Sequence, residues 1–481
     1  MGNGEEGITT FPITYYQCPI PNASVPFAPF YLMTKFLASR LIFMPALILP
    51  LLLNFPALAA ELVGRAVISA DTFAPGSTTG QFKKTNRTVP FINAQPVQGF
   101  SAVISGHIAG TYLVISDNGF GSIANSPDNV LRIYALEPDF TTGQVFPVNF
   151  QTGERLKSFN RESFLELNDK RNLANFPIIA SQKVYPGSSI PVSQEIAKNR
   201  LLTGGDFDTE SFRRVSDGTY WVGDEFGPFL LHVGKDGELL DSPIPLPNFR
   251  ANGKLNFVKS PDNPEFANLP DDTARIAAAN LGGSKGFEGL ALNGSGTKLY
   301  AMLEGALKDD IVQKRLLINE FDLATKQYTG KVFSYQLENP NYAIGDLTAI
   351  NDNEFIVIER DNKQGDPNNP AFKTPAKFKR LYKINITKLD KQGFVKKELL
   401  VDLLKISDPK GIAGNLTKNS IFTFPFVTIE NVLPIDARTL LVINDNNYAD
   451  TIGRYPGQAD NTEFIKIRLD KPLNLVKSQE Y

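Results

Sequence analysis

Phe287-Glu288-Gly289-Leu290-Ala291, answered by Ala301-Met302-Leu303-Glu304-Gly305, reads as a short strand opening beside one carboxylate and a return strand closing on another. Four more pairs repeat the pattern. They are Phe100-Ser101-Ala102-Val103-Ile104 with Val114-Ile115-Ser116-Asp117-Asn118, and Thr209-Glu210-Ser211-Phe212 with Trp221-Val222-Gly223-Asp224-Glu225. Further on come Gly345-Asp346-Leu347-Thr348-Ala349 with Val357-Ile358-Glu359-Arg360-Asp361, and Ile429-Glu430-Asn431-Val432 with Val442-Ile443-Asn444-Asp445-Asn446. The polar points of each pair stand about fourteen to sixteen residues apart. In an antiparallel hairpin the first residue of one strand lies beside the last residue of the other, so both points fall at one end. A radial arrangement would bring them together on one rim.

Each unit carries two further strand candidates. Leu316-Leu317-Ile318-Asn319 and Lys331-Val332-Phe333-Ser334 follow Glu304, and Arg380-Leu381-Tyr382-Lys383 and Lys397-Glu398-Leu399-Leu400 follow Arg360. Phe229-Leu230-Leu231-His232-Val233 with a weaker outer strand follows Glu225, and Leu131-Arg132-Ile133-Tyr134 with Val145-Phe146 follows Asp117. Four strands per unit around an axis predict an all-β propeller of five or six blades, the sixth to be sought in 150–205. Phe464-Ile465-Lys466-Ile467-Arg468 lacks a fourth partner near the carboxyl end. Leu62-Val63-Gly64-Arg65-Ala66-Val67-Ile68 is a spare strand, and pairing the two would close the ring and remove an edge. Insertions at 151–205 and 246–283, helical around 271–280, and loops at 362–377 and 405–422 are either lids over the rim or surface decoration.

A formal net charge of −2 with no Lys/Arg run gives no case for nucleic acid. Lys35 and Arg40, the apolar run 41–53 and Ala57-Leu58-Ala59-Ala60-Glu61 form a secretory signal, which predicts export to the periplasm or outside the cell. The organisation expected is a leader at 1–32, with Met33 as an alternative start, a signal peptide at 33–60 and one domain at 61–481, acting as a monomer. A membrane enters only if the signal is kept as an anchor, and Pro45, Pro50, Asn54 and Pro56 weaken that alternative. Cys18, the single cysteine, lies before the cut, so the mature chain has neither disulfides nor thiol chemistry.

Carboxylates gathered on one rim repel, so they must either hold protons or share cations. For an exported protein Ca²⁺ is the economical cation, since it takes six to eight oxygen ligands. The donors singled out are Asp206, Asp208, Glu210, Asp224, Glu288, Glu304, Asp346, Glu430 and Asp445. Any one of them alone more often ties a turn together through backbone N–H groups, and the argument rests on their recurrence. Lys285, Arg360 and Arg454 lie close by in sequence, either to hold a phosphate or to neutralise neighbours. His107 and His232 read as structural. Gly282-Gly283-Ser284-Lys285-Gly286 matches G-x-S-x-G but follows no strand, and no histidine lies downstream, which removes it as a nucleophile elbow.

At Leu202-Thr203-Gly204-Gly205-Asp206-Phe207-Asp208-Thr209-Glu210, at Trp221-Val222-Gly223-Asp224-Glu225-Phe226-Gly227-Pro228-Phe229, and at Gly286-Phe287-Glu288-Gly289-Leu290 with Tyr300-Ala301-Met302-Leu303-Glu304, the chain resembles the phytase-like propeller family. The resemblance runs over about residues 97–470. It implies an exported propeller with acidic residues on its functional face and a phosphoester-hydrolase role. Ser101, standing where other units have a carboxylate, is a departure that lowers the expected share of the first blade in a metal site.

The leading expectation is therefore a Ca²⁺-dependent esterase-like hydrolase acting on a small phosphoester. Glu225 or Glu359 would serve as general base, and Lys285 and Arg360 would orient the phosphate. A lactone or carboxylic ester hydrolase is one alternative. A non-catalytic propeller that binds a ligand or protein at the cell envelope is another.

Overall fold

In the computed structural model the chain is described over residues 60–83, 89–250 and 256–476. The leader and signal expectations at 1–60 fall outside these residues, apart from Ala60. Among the described residues no helix is long and apolar enough to cross a membrane.

Five units of four antiparallel strands form five blades, the fifth and first joined into one sheet where Val67 pairs in parallel with Gln144. Blade 1 holds Phe100–Ser105, Tyr112–Ser116, Arg132–Asp139 and Gln144–Pro147. Blade 2 holds Thr209–Arg214, Tyr220–Asp224, Phe229–Val233 and the short Ile244–Pro245. Blade 3 runs through Phe287–Leu292, Lys298–Leu303, Arg315–Asp322 and Gln327–Gln336. Blade 4 runs through Ala343–Ala349, Glu354–Arg360, Lys379–Leu389 and Val395–Asp402. Blade 5 takes Thr428–Asp436, Thr439–Asp445 and Thr462–Arg468 from the carboxyl end and Glu61–Ile68 from the other. The first strands of the blades neighbour one another in ring order, with blade 5 returning to blade 1. Among the described residues there is no sixth blade: within 150–205, Phe164–Glu166 pairs with the third strand of blade 1 and the remainder packs beside it.

Closure follows the expectation of a spare amino-terminal strand. Glu61–Ile68 pairs antiparallel with Thr462–Arg468, from Glu61 opposite Arg468 to Ile68 opposite Thr462. Its burial alternates strictly, with Leu62, Gly64, Ala66 and Ile68 inward, as a strand packed on one face requires. The cores lie between blades. Trp221 and Leu230 of blade 2 pack with Phe287, Leu290 and Leu303 of blade 3, for example. His232 stacks on Trp221 at 4.5 Å and bonds Thr219 Oγ1 at 3.0 Å and Asp241 Oδ2 at 2.6 Å, a structural placement.

The seam is locked by charge. Glu463 is fully buried, and its carboxylate accepts two bonds from Arg454, each 2.8 Å, and two from Arg65 of the closing strand, at 2.9 and 2.8 Å. Burial alone would raise the Glu463 carboxyl, but the charges of Arg454 and Arg65 prevail and hold it below its ordinary value. Glu463→Ala leaves two guanidinium groups without their partner, and should lower the free energy of unfolding at neutral pH by about 3–5 kcal/mol. Because the folded pKa is depressed, this stabilisation is complete above the unfolded glutamate value of about 4.3 and is lost as pH falls through the folded one. Urea titrations should therefore show the gap between wild type and Glu463→Gln narrowing below about pH 4.

Candidate functional site: an acidic mouth

Every inner hairpin carries the same irregularity. The pairing register slips between Phe100 and Ala102, between Phe287 and Gly289, between Ile344 and Asp346, and between Ile429 and Asn431. In blade 2, Gly223 faces Ser211 while Asp224 faces Thr209, which skips Glu210. Each slip is a β-bulge, and a bulge re-aims the side chain of the extra residue. The five bulged residues are Ser101, Glu210, Glu288, Gly345 and Glu430. One residue past the partner of the residue that precedes each bulge come Asp117, Glu225, Glu304, Arg360 and Asp445. Two rings of five positions thus frame one opening.

Seven of the ten positions are carboxylates, and all seven line one cleft of ≈ 420 Å³ together with Asp208, Asn118, Lys285 and Arg360. Three sets of oxygens lie within 4.8 Å of one another: Asp208, Glu210 and Glu225; Glu210, Glu288 and Glu430; Glu225, Glu288 and Glu304. The middle set consists of the three bulged glutamates. Burial, followed by the charges of neighbouring carboxylates, pushes Asp117, Glu210, Glu225, Glu288 and Glu430 well above their ordinary values. Asp445 rises to about 6, mainly through burial.

Blade 4 breaks the pattern, and that break supplies the main counter-charge. Where other blades place a carboxylate it has Arg360, which donates from Nη2 to Glu430 at 3.1 Å and Glu304 at 3.5 Å and stands 3.9 Å from Glu288. Its Nη1 bonds Asn362 Oδ1 at 3.0 Å. Lys285 pairs with Glu304 from the loop preceding blade 3. Burial opposes the Lys285 charge, yet the carboxylates of Glu304 and Glu225 hold it above its ordinary value. Two glycines permit this crowding. A Cβ on Gly286 would collide with the Glu225 carbonyl, and one on Gly289 would sit 2.8 Å from the Leu347 nitrogen of the next blade. Glu288 Oε1 is buried and has no hydrogen-bond partner.

Three sequence-derived donors and one base stand elsewhere. Asp346 lies one residue past the bulge at Gly345, so it points into the axis, where it meets Arg213 Nη2 at 3.3 Å and accepts from Val432 N at 3.0 Å. Asp224 precedes Glu225 and faces the other way. It accepts from Asp208 N at 2.8 Å and Gly227 N at 2.7 Å, and burial pushes it up to about 7. Asp206 accepts from Ile179 N and Thr203 N at 2.7 and 2.8 Å, tying a turn. Glu359 alternates away from Arg360 into a buried network with Tyr335 Oη at 2.6 Å and Lys397 Nζ at 2.9 Å. Arg454 belongs to the seam. The mouth brings together Asp208, Glu210, Glu225, Glu288, Glu304, Glu430, Asp445, Lys285 and Arg360. It adds Asp117, the polar end of the first unit, which is not among the donors singled out from the sequence.

A family model described as "Phytase-like: Esterase-like activity of phytase" matches residues 95–448. A protein of Arthroderma benhamiae described as an uncharacterized secreted protein is 25% identical over 205 residues, which span 38% of this chain and 38% of that protein. Among solved structures, a luciferin-regenerating enzyme aligns over 80% of this chain and 83% of its own, at 14% identity and a TM-score of 0.32. The PQQ-bound aldose sugar dehydrogenase of Streptomyces coelicolor aligns over 86% and 97%, at 9% identity and a TM-score of 0.31.

Arg360→Met removes the cation shared by three buried carboxylates and should destabilise the protein by about 3–5 kcal/mol without added divalent ions. The loss should shrink by about 0.5–3 kcal/mol in a Glu430→Gln background, measurable as a double-mutant cycle in denaturant.

Proposed function

Because the chain belongs to the phytase-like family, whose description is esterase-like activity of phytase, we propose that it is an exported hydrolase of phosphoesters that uses Ca²⁺ held in the acidic mouth. The relative described as secreted supports export. The observation that carries the metal reading is Glu288 Oε1, a buried carboxylate oxygen with no hydrogen-bond partner amid two other glutamates. An all-oxygen donor set fits a hard cation rather than a thiophilic one. Glu210, Glu288 and Glu430 would hold it, with Asp208, Glu225 and Glu304 flanking them. When bound, the cation would offset phosphate charge and make a water easier to deprotonate.

The side chains divide the remaining work. Glu225 lines the cleft and borders both Asp208 and Glu304. It would take the proton of the attacking water. Lys285, with 39% of its side chain exposed, reaches the cleft from its loop and would take a phosphate oxygen. Arg360, already committed to Glu430 and Glu304, keeps the ring from flying apart.

The test is turnover of a panel of phosphomonoesters, phosphodiesters and lactones by the mature chain, with Ca²⁺ and with chelator. Phosphoester turnover should require Ca²⁺, and Glu225→Gln should lower kcat by about 10²–10⁴-fold. Glu288→Gln should raise the melting temperature in chelator, by removing one repelling charge, and weaken the further rise produced by Ca²⁺. Hydrolysis of lactones alone would replace the phosphoester reading, and a melting temperature indifferent to Ca²⁺ would end the metal one.

A further inference from the structure

Beside the mouth lies a second cavity, of ≈ 560 Å³, between the insertions at 151–205 and 246–283. This falls within the range of small-molecule sites, about 300–1,000 Å³. Three stretches of chain pass from one space to the other. Gly119, Phe120 and Gly121 line the mouth while Ser122, Ile123 and Ala124 line the cavity. Ser284 and Lys285 line the mouth while Gly283 lines the cavity, and Asp208 and Asp206 divide in the same way.

We propose that this cavity receives the apolar, ring-sized alcohol portion of the ester whose phosphate is taken at the mouth. The proposal rests on the phosphoester reading above. Its walls include Ile123, Phe176, Pro177, Ile179, Pro264 and Ile276. Phe176 is fixed from behind, stacked on Phe229 at 6.1 Å and edge-on to Phe207 at 5.6 Å, so it presents a rigid aromatic face. A preformed wall of this kind favours a flat apolar group, because little side-chain freedom is lost on binding.

Charge selects further. The cavity's charged residues are Asp206, Asp262, Asp272 and Arg275. Backbone N–H groups occupy both Asp206 oxygens, and Arg275 is paired with Asp272. A second phosphate placed here would meet Asp262 and Asp272 against one guanidinium. The substrate class is therefore a phosphoester with its negative charge confined to one end, not a polyphosphorylated polyol.

The experiment uses Ca²⁺-loaded protein with 2-naphthyl phosphate, methyl phosphate and inositol hexakisphosphate as substrates, and binding of free 2-naphthol followed by its fluorescence. Ile276→Glu and Ala124→Trp alter exposed positions of the cavity rim and leave the mouth intact. Wild type should favour the naphthyl ester over the methyl ester, and each substitution should weaken naphthol binding by about 10-fold or more. Both should leave methyl phosphate turnover unchanged. Naphthol bound equally by all three proteins, or by none, overturns the proposal, as does a preference for inositol hexakisphosphate. If no phosphoester is turned over but naphthol binding still responds to both substitutions, the phosphoester reading falls and the apolar subsite stands.

Discussion

Like charge confined to a narrow opening is the constraint from which the rest of this face follows. Asp117, Glu225, Glu304 and Asp445 face Glu210, Glu288 and Glu430 around a cleft that also holds Asp208. Two unit charges 4 Å apart repel by about 4 kcal/mol at an effective dielectric of 20, so such an arrangement persists only with protons or cations among the carboxylates. Arg360 and Lys285 provide part of the compensation, and burial together with the remaining like charge raises the Glu288 and Glu430 carboxyl groups. Natural proteins accept such local costs where function demands them.

The scaffold can bear this cost because its stability is generated elsewhere. Apolar cores between blades run almost without interruption around the ring, and the closing strand leaves no free edge at the seam. Glu463 with its two arginines shows the opposite solution to charge burial, since every oxygen is matched by a planar fork. The same residue types thus lock the seam where they are matched and leave the mouth short of counter-charge where they are not.

Much of the fold was legible because hairpins advertise themselves by alternation and by polar ends at regular spacing. Strand pairing, the closing strand and the convergence of Glu210, Glu288 and Glu430 all follow from that. What spacing does not reveal is a one-residue register. In Gly345-Asp346 the eye settles on the charged residue, but the bulge belongs to Gly345, and a shift of one reverses the direction of the side chain. Glu359 and Asp224 failed as mouth residues for the related reason that neighbours on a strand face opposite sides. Asp206 stands outside the mouth with both oxygens tying a turn, and turn-tying aspartates and ligand aspartates look alike until their backbone partners are known. The blade count stayed open for want of any way to see that Phe164–Glu166 joins an existing sheet.

The misplaced aspartate turns out to define the mouth from below. Arg213 of blade 2 crosses to blade 4, bonding Asp346 at 3.3 Å and the Leu347 carbonyl at 2.9 Å, and Asp346 in turn accepts from Val432 of blade 5. Both side chains are buried, so this bridge ties three blades together within the ring. The side cavity that adjoins the mouth is lined largely by the two insertions and not by blade strands, so on the proposal above the insertions, more than the propeller, would select the alcohol portion of the substrate.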